Sequence, residues 1–352
     1  MNRELKYFQA INEALDQCMA KDPNVYVMGL GVSDPKGIFG STSGLEEKYG
    51  SDRVMDTPTS ENGMTGVAIG SALVGMRPVM VYQRVEFFLL AMEQLVNQAA
   101  KWHYMFGGRS SVPLVMRVII GRGWGQGPQH AQSLQAWFAH IPGLKVVMPT
   151  TAYDAKGLLI SSIEDNNPVV FLEHRWLYNI VDYVPEEMYR VELGKCKTVR
   201  EGKDVTIVAT SYMVVEALKA ANHLEKSNIH AEIIDVRTLN PLDSLSIINS
   251  VRKTGHLMVA DTGGKFCGFG SEIVRCVTEN AFKSLKQAPQ VVASLDFPLP
   301  STPALAKEFY PRAKDIVKVT REMLNVPSGL LPDLVEENIL FDIPDASFTG
   351  PF

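Results

Sequence analysis

Residues 56–82 read DTPTSENGMTGVAIGSALVGMRPVMVY. Thr57 and Pro58 signal a turn, Glu61 stands just before a run rich in small residues from Gly63 to Gly75, and Val79–Tyr82 is a short apolar block. The spacing predicts a small-residue helix followed by a buried strand. A helix carrying Gly63, Gly66, Ala68, Gly70, Ala72 and Gly75 can approach another helix closely, which points to a tight subunit interface. Upstream, Leu5, Phe8, Ile11, Leu15, Cys18 and Met19 recur at helical spacing and lead into the apolar run Val25–Leu30. Downstream, the pattern predicts a long amphipathic helix from about Phe88 to Met105, strands at Pro113–Ile120, Lys145–Met148 and Val169–Glu173, and a helix at Tyr153–Glu164. Strands that are apolar throughout and alternate with helices imply a parallel sheet covered on both faces, so the fold class is α/β.

Between Tyr178 and Gly202 the alternation gives way to charged and turn residues, as expected of a connection between domains. Beyond it, strands are expected at Val205–Thr210, His230–Val236, His256–Asp261 and Gln290–Ser294. Helices are expected near Val214–Glu225, Ser244–Arg252, Gly270–Phe282 and Leu305–Leu324. The reading is two domains, 1–185 and a smaller α/β unit at 203–326, joined by 186–202 and followed by an extended tail at 327–352.

A length of 352 residues with 46% apolar content suits two cores and excludes a disordered chain. The charge is mixed: 34 Lys and Arg against 39 Asp and Glu, a net −5 without a long run of one sign. That is no footprint for nucleic acid or for an acidic membrane surface. Cys18, Cys196, Cys267 and Cys276 form neither a Cys-x-x-Cys pair nor a zinc pattern and suit a reducing compartment. The opening MNRELKYF lacks a signal peptide's apolar stretch, and a run such as Phe87–Met92 is far short of a membrane span, so a cytoplasmic protein is expected.

Two segments offer chemistry. Glu61 is either first-turn charge that complements the helix dipole or a carboxylate presented to a ligand. In RGWGQGPQH, glycines 123, 125 and 127 lead to His130, which is either a satisfied loop residue or an imidazole brought beside a ligand. The string does not fit G-x-G-x-x-G, and no Walker phosphate loop occurs.

From about Leu5 to Leu324 the chain resembles the beta subunit of the decarboxylating component of 2-oxo acid dehydrogenase complexes, in the transketolase-like superfamily of thiamine diphosphate enzymes. The resemblance rests on five ordered strings: YGSDRVMDTPTSENG, AMEQLVNQAAKWHYMFGG, PQHAQSLQAWFAHIPGLKVVMPTTAYDAKGLL, IEDNNPVVFLEH and IDVRTLNPLD. It implies a pyrimidine-binding domain followed by a transketolase C-terminal domain. It also implies an alpha subunit that holds the cofactor's diphosphate through magnesium, because this chain has no Gly-Asp-Gly and the Asn166–Asn167 pair lacks its upstream half. Two chains of each kind, a small 2-oxo acid substrate and docking to a lipoyl acyltransferase core follow from the same resemblance.

By similarity, Glu61 hydrogen-bonds the aminopyrimidine ring nitrogen, Phe87 packs on that ring, and Gln83 lies near the cofactor. His130 sits near the reacting carbon, whereas His140 is read as structural. Leu114, Ser162, Ile163, Asp165 and Asn167 match a potassium site in some relatives, built mostly from backbone carbonyls. The chain also departs from the family. Leu30 and Gly31 stand where relatives carry acidic residues, which leaves out a carboxylate proposed to relay protons between paired sites, and Gln83 and Arg84 replace apolar or small residues, so that Arg84 with Glu86 is expected to alter which substrate is accepted. A buried Arg84 needs an anionic partner, either Glu86 or the substrate. The alternatives are half of a split transketolase or acyloin-forming carboligase with the same cofactor, and a non-catalytic scaffold subunit.

Overall fold

The computed structural model describes residues 3–121, 126–327, 333–334, 343–344 and 348. Two sheets carry the chain. The first has seven strands in the order Thr238–Asn240, Lys145–Val147, Val169–His174, Val115–Ile120, Arg77–Tyr82, Val25–Gly29, Val54–Asp56. Six of them run parallel. Alternate side chains serve opposite faces: Tyr26, Met28, Met80, Tyr82 and Met116 enter one core, while Val25, Val27, Val79, Val81 and Val115 enter the other. Both faces are therefore buried, as the unbroken apolar strands require.

The second sheet has five strands in the order Gln290–Ser294, Leu257–Gly264, Val205–Ala209, Ala231–Asp235, Lys197–Arg200. Its last strand is antiparallel and comes from the stretch read as a connection. The expected all-parallel first sheet is also corrected, because Thr238–Asn240 arrives from beyond residue 203 and pairs antiparallel with Lys145–Val147. Edge strands of three or four residues carry too little periodicity to announce themselves.

Two helices differ from expectation. Phe88–Met105 is no uniform α-helix: Val85–Phe88 is α-helical, Leu89–Ala91 tightens to a 3-10 turn, Gln94–Ala99 widens to a π-helix and Ala100–Met105 returns to α. The widened part lies against the small-residue helix Glu61–Leu73, where a Cβ on Gly66 would sit 3.6 Å from Oε1 of Gln94. The expected helix Leu305–Leu324 is two helices, Pro303–Ala306 and Ala313–Met323, because Pro311 can neither donate to the ladder nor let its predecessor stay helical. Of the tail, residues 328–332, 335–342, 345–347 and 349–352 lie outside the described residues. Ile343 and Phe348 pack on their own chain: the Ile343 carbonyl accepts from Nη2 of Arg312 at 2.8 Å, and the Arg175 guanidinium lies 5.1 Å from the Phe348 ring centre.

Candidate active site

Ligands of open α/β sheets bind beyond the carboxyl ends of the strands, and the candidate residues gather there. Leu30 and Gly31 follow strand Val25–Gly29, Thr57–Glu61 follow Val54–Asp56, and Gln83–Phe87 follow Arg77–Tyr82. A shallow hollow is lined by Gly29, Leu30, Glu61, Met64, Gln83 and Phe87, with Met80 and Tyr82 beneath. Glu61 is the first residue of its helix. Among the described residues its carboxylate has no hydrogen-bonding or ion-pair partner, while its carbonyl accepts from Oγ1 of Thr65 at 2.6 Å. Tyr82, hydrogen-bonded to Thr65, lies tilted against Phe88 with ring centres 4.6 Å apart and closes the floor. Its burial pushes the phenol well up, so it stays neutral.

Gln83 and Gly31 act as a pair. Nε2 of Gln83 donates to the Leu30 carbonyl at 2.9 Å. Gly31 adopts φ +76, and a Cβ there would stand 2.7 Å from the same Nε2. The two residues are therefore one device: the glycine makes room for the glutamine. Asp56 holds this arrangement, since its Oδ1 accepts from the Gly31 amide at 2.7 Å and the Thr57 amide at 3.0 Å. Sequence reading missed Asp56, although an aspartate before Thr-Pro is a turn signal.

His130 joins the site through Phe87, ring centre to ring centre 5.7 Å and edge-on. Its loop is held from below by the short helix Val85–Phe88: Nη1 of Arg84 donates to the His130 carbonyl at 3.3 Å, and Oε1 of Glu86 accepts from the Gln132 amide at 2.7 Å. Burial raises the Glu86 pKa and lowers that of Arg84. The second sheet supports the loop too. Nε2 of Gln135 donates to Oδ1 of buried Asp261 at 2.7 Å, and a Cβ on Gly127 would meet Oγ of Ser301 at 2.6 Å. Residues 122–125, with the glycines at 123 and 125, lie outside the described residues. His140 is elsewhere, beside Asn240, Cys267 and Phe269.

The five candidate potassium ligands lie outside the lining of this hollow. The carbonyls of Ile163 and Asp165 accept from Nη1 of Arg77 at 3.0 and 3.1 Å, and Lys145 pairs with the Asp165 carboxylate. The Leu114 carbonyl accepts from the Val169 amide at 2.9 Å, the Ser162 carbonyl from the Asp165 amide at 3.3 Å, and the Asn167 amide donates to Oδ1 of Asp165 at 2.8 Å. Among the described residues no group of three or more His, Cys, Asp or Glu gathers to hold a metal. No helix among them is long and apolar enough to cross a membrane.

This geometry is that of a two-domain transketolase-type chain. Residues 3–181 match the family model for the transketolase pyrimidine binding domain, and 194–316 match that for the transketolase C-terminal domain. The beta subunit of acetoin:2,6-dichlorophenolindophenol oxidoreductase from Cupriavidus necator is 43% identical over 334 residues, 92% of this chain and 98% of that one. The beta-2 subunit of the mitochondrial pyruvate dehydrogenase E1 component from Oryza sativa subsp. japonica is 42% identical over 323 residues, 91% of this chain and 86% of that one. A split-gene transketolase solved as an inactive beta4 tetramer has the same fold, with a TM-score of 0.75 at 24% identity over 92% of this chain and 99% of that one. The chain belongs to the transketolase-like family and, within it, to the E1 beta subunits of pyruvate and acetoin dehydrogenase type.

Proposed function

We propose that this chain is the beta half of a thiamine-diphosphate-dependent 2-oxo acid dehydrogenase that decarboxylates a small 2-oxo acid and passes the acyl group to lipoamide. The observation that carries the reading is Glu61: a carboxylate at a helix start, unpaired among the described residues, at the rim of a hollow walled by Phe87, Met64, Met80 and Tyr82. Apolar walls with one carboxylate on the rim fit the faces and one edge of an aminopyrimidine. When bound, the cofactor supplies an electron sink for the pair released as carbon dioxide leaves. Glu61 holds the ring nitrogen, Phe87 packs on the ring, and Gln83 shapes the floor of the loop beside it. His130, half-buried and edge-on to Phe87, orients the substrate or moves a proton during acyl transfer.

The hollow is a surface feature of this chain and needs a second wall. That supports an alpha partner carrying the diphosphate and magnesium, in an assembly of two alpha and two beta chains that docks on a lipoyl acyltransferase core. The division into 1–185, a connection at 186–202, 203–326 and a tail at 327–352 belongs to the same reading, as does a cytoplasmic location. Potassium fits less well, because Arg77 and Lys145 already bring positive charge to the oxygens of Ile163 and Asp165.

The test is co-expression with an alpha subunit, titration with thiamine diphosphate and magnesium, and turnover of a 2-oxo acid panel with an artificial electron acceptor. Glu61→Gln in the assembled complex is expected to lower turnover at least about a hundredfold, within the range for losing acid–base assistance. Full activity in that variant would favour a scaffold role. Cofactor binding with product formed only from aldehyde or sugar acceptors would favour the carboligase alternative.

A further inference from the structure

His174 closes strand Val169–His174, in register with Ile120 on the neighbouring strand, so it stands at the carboxyl ends of the first sheet beside Gly121. The chemistry of Glu61 and His130 gives it no role, yet it is only 3% exposed and closely held. Its Nδ1 accepts from the Trp176 backbone amide at 3.2 Å, which leaves the hydrogen of the neutral ring on Nε2. Burial first, and then the charge of Arg312, bring its pKa down to about 3, so the ring is neutral near physiological pH. One face stacks on Tyr212, with ring centres 5.4 Å apart and 19° between the planes. Tyr212 is the first residue of helix Tyr212–Glu225, whose Met213, Val214 and Ala217 enter the core of the second sheet. The Nε2 edge meets Gly121, where the backbone has φ +80 and a Cβ would stand 2.6 Å from Nε2 and 2.8 Å from Cε1. The Gly121 amide in turn donates to the carbonyl of Gln132, two residues past His130, at 3.1 Å. A continuous path therefore runs from the second sheet through Tyr212, His174 and Gly121 to the loop that carries His130.

We propose that His174 is a positioning residue: wedged between Tyr212 and Gly121, it sets where the loop that carries His130 sits relative to the second sheet. This rests on the proposed function, in which His130 acts on the substrate. The residue type fits the task. An apolar ring of the same size would stack on Tyr212 but leave the Trp176 amide without its acceptor, and a shorter polar side chain would keep the acceptor but leave a gap at Gly121. The glycine completes the contact, since a side chain at 121 would drive the ring or the loop away. Close-packed contacts of this kind pass displacements on. Misplacing a reacting group by about 1 Å costs about a hundredfold in rate, so a fraction of that shift is readable in turnover. A second tie runs in parallel. On the short helix Gln135–Ala139 beyond the loop, Nε2 of Gln135 donates to Oδ1 of Asp261 at 2.7 Å and to Oγ1 of Thr262 at 3.2 Å, both on the second sheet. The hollow that holds Glu61 shares none of these residues, so cofactor affinity does not lie on the path.

The experiment uses the assembled alpha–beta complex with thiamine diphosphate and magnesium, and measures cofactor Kd, kcat and KM for the best 2-oxo acid of the panel with an artificial electron acceptor. His174→Asn keeps an acceptor near the Nδ1 position for the Trp176 amide and withdraws the edge that meets Gly121. It is expected to lower kcat on the order of tenfold, with KM and cofactor Kd within about twofold of the parent. Gly121→Ala disturbs the same contact from the loop side, and a loss of the same kind is expected. In a His130→Ala background either loss is expected to shrink to less than about twofold, because the wedge acts only through His130. Should His174→Asn fail to assemble, Gly121→Ala carries this comparison by itself. Equal losses in the two backgrounds would overturn the positioning role and leave the proposed function standing, as would an unchanged kcat in both variants. Full activity in His130→Ala would overturn it together with the role given to His130. A complex that binds cofactor but decarboxylates no 2-oxo acid would overturn the proposed function and the positioning role with it.

Discussion

At Gly31 a single hydrogen atom in place of a side chain decides what can sit beside the hollow that holds Glu61. The backbone there is left-handed, and the space a Cβ would fill is taken by the amide of Gln83. Gly31→Ala therefore meets two costs: roughly 1 kcal/mol for an L-residue at positive φ and a displaced Gln83. Adding Gln83→Ala removes the second cost and leaves the first. The thiamine diphosphate Kd of the complex is expected to rise in Gly31→Ala and to recover partly in the double variant, while the melting temperature stays low in both. Equal affinity in the single and double variants would show that Gln83 does not couple the two loops. Gly31, Gln83 and Arg84 stand out in the sequence because the family resemblance leads one to expect other residues there, but their contacts do not show in it, because each depends on a partner from another strand end. The sequence leaves either Glu86, two residues away, or the substrate as the anionic partner of Arg84. Besides feeling the Arg84 charge, Glu86 accepts from the Gln132 amide, while Arg84 donates to the His130 carbonyl, so a reading at the scale of neighbouring residues missed a clamp on the loop that carries His130.

Among the elements, the strands of the first sheet were legible because burial on both faces leaves an unbroken apolar signature. Arg117 is the exception that spacing cannot explain. It sits fully buried in strand Val115–Ile120, held by both carboxylate oxygens of Glu173 on the neighbouring strand at 2.6 and 2.8 Å. Nothing local in VMRVII announces a partner on another strand. The same holds for Arg77 at the start of its strand, which caps the end of helix Ala152–Glu164 by donating to Ile163, Asp165 and the Asn166 side chain. Arg77→Met strips donors from these acceptors and is expected to cost about 1–3 kcal/mol in urea unfolding. If the surrounding oxygens form a cation site, potassium chloride should restore part of that loss and choline chloride should not. Identical unfolding in the two salts would remove potassium from the account of this element.

The whole molecule is tied together where the second sheet meets the first, through strand Thr238–Asn240 and a polar cluster beside it. Nη1 of Arg237 donates to Oδ1 of buried Asp154 at 2.9 Å, and Lys197 approaches Oδ2 of the same carboxylate at 3.8 Å. Asp235, fully buried at the end of its strand, lies near enough to Asp154 to feel its charge. Burial first, and then Asp154, push its carboxyl up to about 7. Arg237 and the hydrogen bonds from its backbone and from Thr150 oppose the rise without cancelling it. In the unfolded chain the same group ionises near its ordinary value of about 4. Between those two values the folded protein keeps a proton that the unfolded chain has released, so this contribution to stability is fully present below about pH 4 and is lost as pH rises to about 7. The slope from this group alone is at most roughly 1.4 kcal/mol per pH unit. Asp235→Asn keeps the shape and removes the titration. Its stability relative to the parent is therefore expected to improve from about pH 5 to about pH 7 and to level off above that in urea unfolding, whatever fixed offset the new amide brings. A difference that stays constant across that range would mean Asp235 is already ionised in the fold, with Arg237 and Lys197 compensating both carboxylates at the junction.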